Sequence, residues 1–225
     1  MQCKYSPEQL FHLVNHQLSN FWPDGEVLDS SFTSFEMAVQ RIEANFVHRK
    51  GRIFQNDGVA SFFDVTHSVQ YSIFLYTYAN QLYRDGSEDI AGRVYYLNKI
   101  MNSVDWFYAA ALPEIFSAEH PLGSVVGRAT MSDYLFLYQG TTIGGNRKNG
   151  VLSYPIIGDH VLMYANSKIL GNAHIGNNVI IAANTMVIDE DVPDNSLVFG
   201  QSPNLIIKQK TEDEIRGKMS HIWIE

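Results

Sequence analysis

Apolar positions in the second half of the chain recur every six residues. Ile157, Met163, Ile169, Ile175, Ile181 and Val187 are evenly spaced. Four residues after each come Val161, Ser167, Ala173, Val179, Thr185 and then Asp191, mostly small or β-branched. A period of six fits neither the 3.6-residue helix nor the two-residue strand. It fits short strands that turn a corner every six residues, each placing one aliphatic side chain inside a three-sided prism. Gly158, Gly171, Gly176 and the asparagines at 172, 177 and 178 argue against a helix, since both residue types are poor in helix interiors. The beat runs back through Ile143 and Leu137 to Val126, with a one-residue slip near 132–136. Between Ile143 and Ile157 the spacing is fourteen, so an excursion from Gly144 to Pro155 replaces two beats. Interruptions of a regular coil are where function is usually carried.

The first half has a different rhythm. Ser6-Pro7-Glu8-Gln9 is a capping box with proline at the first helical position. Leu10, Val14 and Leu18 give the helix that follows one apolar stripe, and Trp22-Pro23-Asp24-Gly25 ends it with turn residues. Phe35, Ala38, Ile42 and Phe46 predict a second helix over about 33–49. A third, crowded with aromatic residues, is predicted over 65–84, stopping at Asp85-Gly86. Ile90, Val94, Leu97, Met101 and Val104 form the stripe of a fourth. The chain therefore divides into a helical domain over 1–104, a β-helical domain over 105–208 and a tail over 209–225. The fold class is α+β. Thr211 and Glu214 make a second capping box in the tail.

Composition narrows the function without fixing it. A formal charge of −8 with no Lys/Arg cluster argues against a nucleic-acid partner. The single cysteine, Cys3, rules out a disulfide framework within the chain and suits a reducing compartment. With no apolar leader and no long apolar run, the chain reads as a soluble cytoplasmic protein with no membrane partner. No His/Cys/Asp/Glu cluster has the spacing of a metal site. His160 and His174 are expected to face outward from the coil. His67, close to Asp64, is either a pocket residue or an ordinary helix histidine. His120 stands in Glu119-His120-Pro121-Leu122-Gly123, fifteen residues after Asp105. In an eighteen-residue coil that separation nearly returns to the same corner. Two readings stand there: a carboxylate orienting a general base, or a surface histidine beside a turn proline. Gly144-Gly145-Asn146-Arg147-Lys148 either lets backbone N–H groups approach an anion or carbonyl, or simply lets the loop leave the coil.

Taken together, residues 104–208 resemble the serine O-acetyltransferase branch of the left-handed β-helix (hexapeptide-repeat) acyltransferases, while the helical half resembles it only in kind. The carriers are the gap-free stretch from Asp105 to His120, the His-x-x-Gly-x-Val-Val-Gly signature over 120–127, and the Gly144-Gly145 turn. Ile169-Leu170-Gly171-Asn172 and the Val192-Pro193 to Pro203 ending also match. The resemblance implies a left-handed coil, an exception to the right-handed crossover rule. It implies a homotrimer or dimer of trimers, with acetyl-CoA as acyl donor between neighbouring prisms and no metal. His120 is the implied base and Asp105 its orienting partner. Gly144, Gly145, Arg147, Lys148, Ala165 and Ala183 are the implied donor-binding residues, and Glu119, Tyr154, Asp64 and His67 lie on the acceptor side. The departures lie on that side. The family's Arg-His before the loop proline is Ser153-Tyr154 here, and its aspartate before the base is Glu119. The expectation is an acetyl-CoA-dependent O-acetyltransferase for a small hydroxyl acceptor, with serine used weakly and a larger, hydroxyl-rich acceptor preferred. The rival readings are a sugar or nucleotide-sugar acetyltransferase of surface-polysaccharide synthesis and a non-catalytic trimeric scaffold.

Overall fold

The structure, a computed structural model, describes residues 1–24, 31–56 and 59–224; Gly25 of the expected turn and Glu225 of the tail lie outside them. Helix α1, Pro7–Phe21, begins at the expected box: Gln9 N donates to Ser6 Oγ at 3.3 Å, and Ser6 N donates to Gln9 Oε1 at 3.0 Å. It buries Leu10, Val14 and Leu18, with Phe11 beside them. Helix α2, Phe32–Phe46, buries Phe35, Ala38, Ile42 and Phe46. Helix α3, Ser68–Arg84, is buried almost throughout and stops at Asp85, followed by Gly86 at φ +83°.

Helix α4, Glu88–Asn102, corrects the expected stripe. Met101 is exposed and Ile90 half-buried, while Asn98 and Asn102 face inward. Asn98 donates to the Ser72 carbonyl of α3 and accepts from Asn102, so paired amides occupy a face that hydropathy assigns to solvent. A second correction concerns the first half as a whole. Gln2–Cys3, Gln55–Asn56 and Val59–Phe63 form a small three-stranded sheet within it. Strands of two residues carry no readable period.

From Asp105 the chain winds as a left-handed parallel β-helix with three walls. The first stacks Asp105–Trp106, Val125–Val126, Thr142–Gly144, Lys168–Leu170 and Met186–Ile188. The second stacks Thr130–Met131, Ile156–Ile157 and His174–Ile175. The third stacks Phe116–Glu119, Leu135–Tyr138, Val161–Met163, Val179–Ile181 and Ser196–Gln201, capped by the antiparallel strand Asn204–Gln209. All six members of the hexad series from Ile157 to Val187 are buried inside. The excursion is an antiparallel hairpin, Asn146–Lys148 against Val151–Ser153, turning at Asn149 and Gly150, both at positive φ.

One core runs from the helices into the prism. The Tyr76 ring of α3 meets Trp106 and Phe116 edge-on at 6.3 and 5.6 Å. Outward-facing Phe136, Leu162 and Ile180 of the third wall are covered by the tail. There helix α5, Glu212–Met219, contributes Ile215 and Met219, and Ile222 and Trp223 follow. The tail then reaches the end of α2: Lys50 N donates to the Ile222 carbonyl at 2.9 Å and Ile224 N to the His48 carbonyl at 2.8 Å. His160 corrects another expectation. It is buried and stacks on Tyr134, with centroids 4.1 Å apart, because the tail closes over its corner, whereas His174 is exposed beside Asp191.

Candidate active site

His120 lies at the corner where the third wall passes to the first. Five residues, 120–124, make that corner in the first coil, but only three, 139–141, make it in the next. Gly140 N donates to the Leu122 carbonyl, which puts Gly123 and not His120 in register with Gly140. His120 and Pro121 are therefore extra residues, pushed outward. His120 takes φ +49°, a left-handed conformation that costs a side-chain-bearing residue roughly 1–2 kcal/mol. The same conformation recurs at other corners of the coil, Tyr134, Asn166 and Asn184 among them, so what sets His120 apart is the inserted pair of residues.

His120 forms one wall of a cavity of about 190 Å³, together with Arg49, Ile53, Phe54, His67 and Glu119. A second cavity of about 280 Å³ shares Ile53 and His67 and adds Arg52, Asp64 and Gln70. Of the four acceptor-side residues, Glu119 and His67 line the cavity of the expected base, and Asp64 lines the neighbouring one. His67 is the N-cap of α3, its Nδ1 accepting from Gln70 N at 3.4 Å. Burial holds its pKa below the ordinary value, the His120 ring adds to this, and Asp64 opposes it. Asp64 accepts two hydrogen bonds from Thr66, at 2.8 and 2.7 Å, which hold its carboxyl below the usual range. Glu119 accepts from the Tyr138 hydroxyl at 3.2 Å; burial and then the Glu119 charge push that phenol up to about 12.

Asp105 stands one coil below this corner, Gly123 N donating to the Ser103 carbonyl and Asp105 N to the Ser124 carbonyl. Its carboxylate accepts from the Tyr95 hydroxyl and pairs with Lys99 at 2.9 Å; no hydrogen bond joins it to His120 among the described residues. The first coil is long, Asp105 pairing with Val125, so a fifteen-residue step stops short of a full turn. Burial pushes the Asp105 carboxyl up, but Tyr95 and Lys99 outweigh it and keep the pKa below the ordinary value.

The expected donor-binding residues fall on two corners. Ala165 and Ala183 share the His120 corner, Asn184 N donating to the Ala165 carbonyl and Asn166 N to that of Gln139. From Gly123 to Ala183 this corner climbs three coils, about 14 Å at the usual strand spacing. Beside it lies an apolar hollow of about 380 Å³ lined by Tyr164, Ile180, Ala182, Leu197, Phe199 and Lys218. Gly144 and Gly145 lie on the next corner, where the hairpin leaves. A Cβ on Gly145 would stand 2.9 Å from the Tyr154 ring, so Tyr154 packs on the hairpin base and is absent from the His120 cavity of its own chain. Arg147 donates to the Gly150 carbonyl, and the Lys148 ammonium is exposed, 3.9 Å from Asp189. Sequence reasoning missed Arg49 and Arg52, which sit in an unpatterned loop and approach the site only through folding.

Among the described residues no group of His, Cys, Asp and Glu is placed to hold a metal, and no helix is long and apolar enough to cross a membrane. The family model for bacterial transferase hexapeptide (six repeats) matches residues 154–189. A serine acetyltransferase of Staphylococcus epidermidis is 33% identical over 146 residues, 64% of this chain and 68% of that one. Several solved structures are similar, among them two complexes with ligands. Serine acetyltransferase from Neisseria gonorrhoeae in complex with serine has a TM-score of 0.61 and 26% identity, covering 78% of this chain and 74% of that one. The enzyme from Brucella abortus in complex with coenzyme A reaches 0.69 at 24% identity, covering 92% and 84%.

Proposed function

Since the chain belongs to the serine acetyltransferase-like hexapeptide-repeat acyltransferases, we propose that it transfers an acetyl group from acetyl-CoA to the hydroxyl of a small acceptor held against His120. The observation that carries this reading is the bulged corner itself: an imidazole on the wall of a cavity, at an insertion that the coil does not need.

In this reading the His120 ring takes the proton of the acceptor hydroxyl as its oxygen attacks the thioester carbonyl. The tetrahedral oxyanion is stabilised by backbone N–H groups at the Gly144–Gly145 turn of a neighbouring copy. Collapse expels the CoA thiolate, which recovers the proton from His120 and leaves an acetyl ester on the acceptor. Because His120 and Gly144–Gly145 lie on different corners of one prism, the reading calls for a second copy to complete the site, as in a trimer. The donor's pantetheine arm runs up the corner of Ala165 and Ala183 towards the hollow at Tyr164 and Ala182. Asp105, held charged at the foot of the corner, favours the imidazolium that forms during proton transfer.

The test is thiol release from acetyl-CoA with a panel of small hydroxyl acceptors. His120→Ala should lower turnover by about 10²–10⁴ while leaving acetyl-CoA binding unchanged. Undiminished turnover in that variant would overturn the assignment of the base.

A further inference from the structure

We infer that Arg49 is the anion anchor of the acceptor pocket, so that the acceptor is a small hydroxy acid whose carboxylate lies on this guanidinium; the inference rests on the acetyl-transfer reading. The side chain is only 8% exposed, yet it lines the cavity that holds His120. Its hydrogen bonding is incomplete. Nη1 donates to the Lys50 carbonyl at 3.0 Å and the Ile222 carbonyl at 2.9 Å, and among the described residues Nε, which is buried, has no acceptor and Nη2 makes no hydrogen bond. Of the five N–H donors of a guanidinium, those on Nη2 remain for a ligand, and a carboxylate oxygen there makes a charge-assisted hydrogen bond.

The surroundings sharpen the case. The guanidinium carbon lies over the Phe54 ring at 5.4 Å and over Phe136 at 4.8 Å, faces that remove it from water. Burial holds its pKa below the ordinary value, and Glu119 offsets this only in part. No carboxylate comes within salt-bridge distance of Arg49 among the described residues. A buried cation with spare donors and no ion-pair partner is costly unless something binds it. Glu119 on the same wall makes a monoanion a better fit than a phosphate dianion, which it would repel. The two carbonyls fix the guanidinium beforehand, so an acid group would meet a placed cation. This supplies from the helical half the charge that Ser153 and Tyr154 lack, and it turns the expected acceptor from a larger, hydroxyl-rich molecule to a small acid.

The test measures binding and turnover separately, on the full chain. L-Serine, L-lactate and glycolate are compared with L-serinamide, L-lactamide and glycolamide by calorimetry, and each is offered with acetyl-CoA in the thiol-release assay. At least one acid should bind tenfold or more tighter than its amide. Arg49→Gln should erase that preference, Arg49→Lys should keep part of it, and both should bind acetyl-CoA normally. The anchor is refuted if no acid binds better than its amide, or if Arg49→Gln keeps the preference while folded. If a variant fails to fold, the acid-against-amide comparison on the unmodified protein decides. Acid binding that depends on Arg49 without thiol release would sink the acetyl-transfer reading and leave the anchor standing. Equal acetylation of acids and amides would do the reverse.

Discussion

Replacing His120 with glycine should remove activity and leave the fold as stable as before or slightly more so. The side chain is exposed and makes no hydrogen bond among the described residues, so little packing is lost. At φ +49° a residue with a Cβ carries a penalty of roughly 1–2 kcal/mol that glycine does not. Glycine's greater freedom in the unfolded chain takes back roughly 0.5–1 kcal/mol. The net is a change between about zero and +1.5 kcal/mol, or a rise of up to about 5 °C in Tm for a chain of this size. Gly140→Ala, one coil up, is the internal contrast: its added Cβ, at φ +65°, would stand 2.1 Å from Asn166 Oδ1 and turn that amide aside, so it should destabilise the fold by roughly 1–2 kcal/mol. Urea unfolding and thermal scans read the stability, and thiol release reads the activity. If His120→Gly costs more than about 1 kcal/mol, the corner is not strained for function and the histidine is structural.

Three further outcomes follow from the same geometry. Ile175→Asp would bury an unpaired carboxylate at a position only 3% exposed and should abolish soluble, folded protein, read by gel filtration. Lys99→Met should make the protein more sensitive to acid. The Asp105 pKa is now depressed, so its contribution is present above the unfolded value near 3.9 and lost as pH falls through the lower folded value; without Lys99, burial pulls that loss to higher pH. An unchanged acid-unfolding midpoint would contradict this. His67→Asn keeps an N-cap and removes a titration. The folded pKa of His67 is depressed, so the unfolded chain binds more protons and stability falls as pH drops below about 6.5; the variant should flatten that slope between pH 7 and 5.

What the sequence revealed and what it withheld divide along physical lines. The hexads were legible because each coil repeats one environment, so Ile157 to Val187 all report the same interior. The capping boxes at Ser6 and Thr211 were legible because a cap is a local hydrogen bond. Asn98 and Asn102 misled because a buried amide pair looks like a solvent face until the partner backbone of α3 is known. His160 misled because what buries it is a tail more than fifty residues away in sequence. Arg49 was silent for the same reason: its carbonyl partner on Ile222 is 173 positions distant, and no spacing encodes that.

The division also bears on where specificity can change without loss of the scaffold. The corner that climbs from Gly123 to Asn184 is built from periodic positions, each bonded to the coil below, so a substitution there disturbs its neighbours above and beneath. Gly140 shows how tight that stacking is, since a Cβ would stand 2.1 Å from Asn166 Oδ1. The cavity beside His120 is different in kind. Beyond Ala118 and Glu119 of the prism, its walls come from the loop after α2, the start of α3 and, through the carbonyl that fixes Arg49, the tail. None of these segments sits in the hexad register, so their side chains can be exchanged at little cost to the prism. In the reading proposed here, the donor side is therefore constrained by folding and the acceptor side is not. That accounts for a chain that retains Gly144, Gly145 and His120 while replacing the loop's charged pair with Ser153 and Tyr154, with Arg49 restoring a cation from a segment the coil does not constrain.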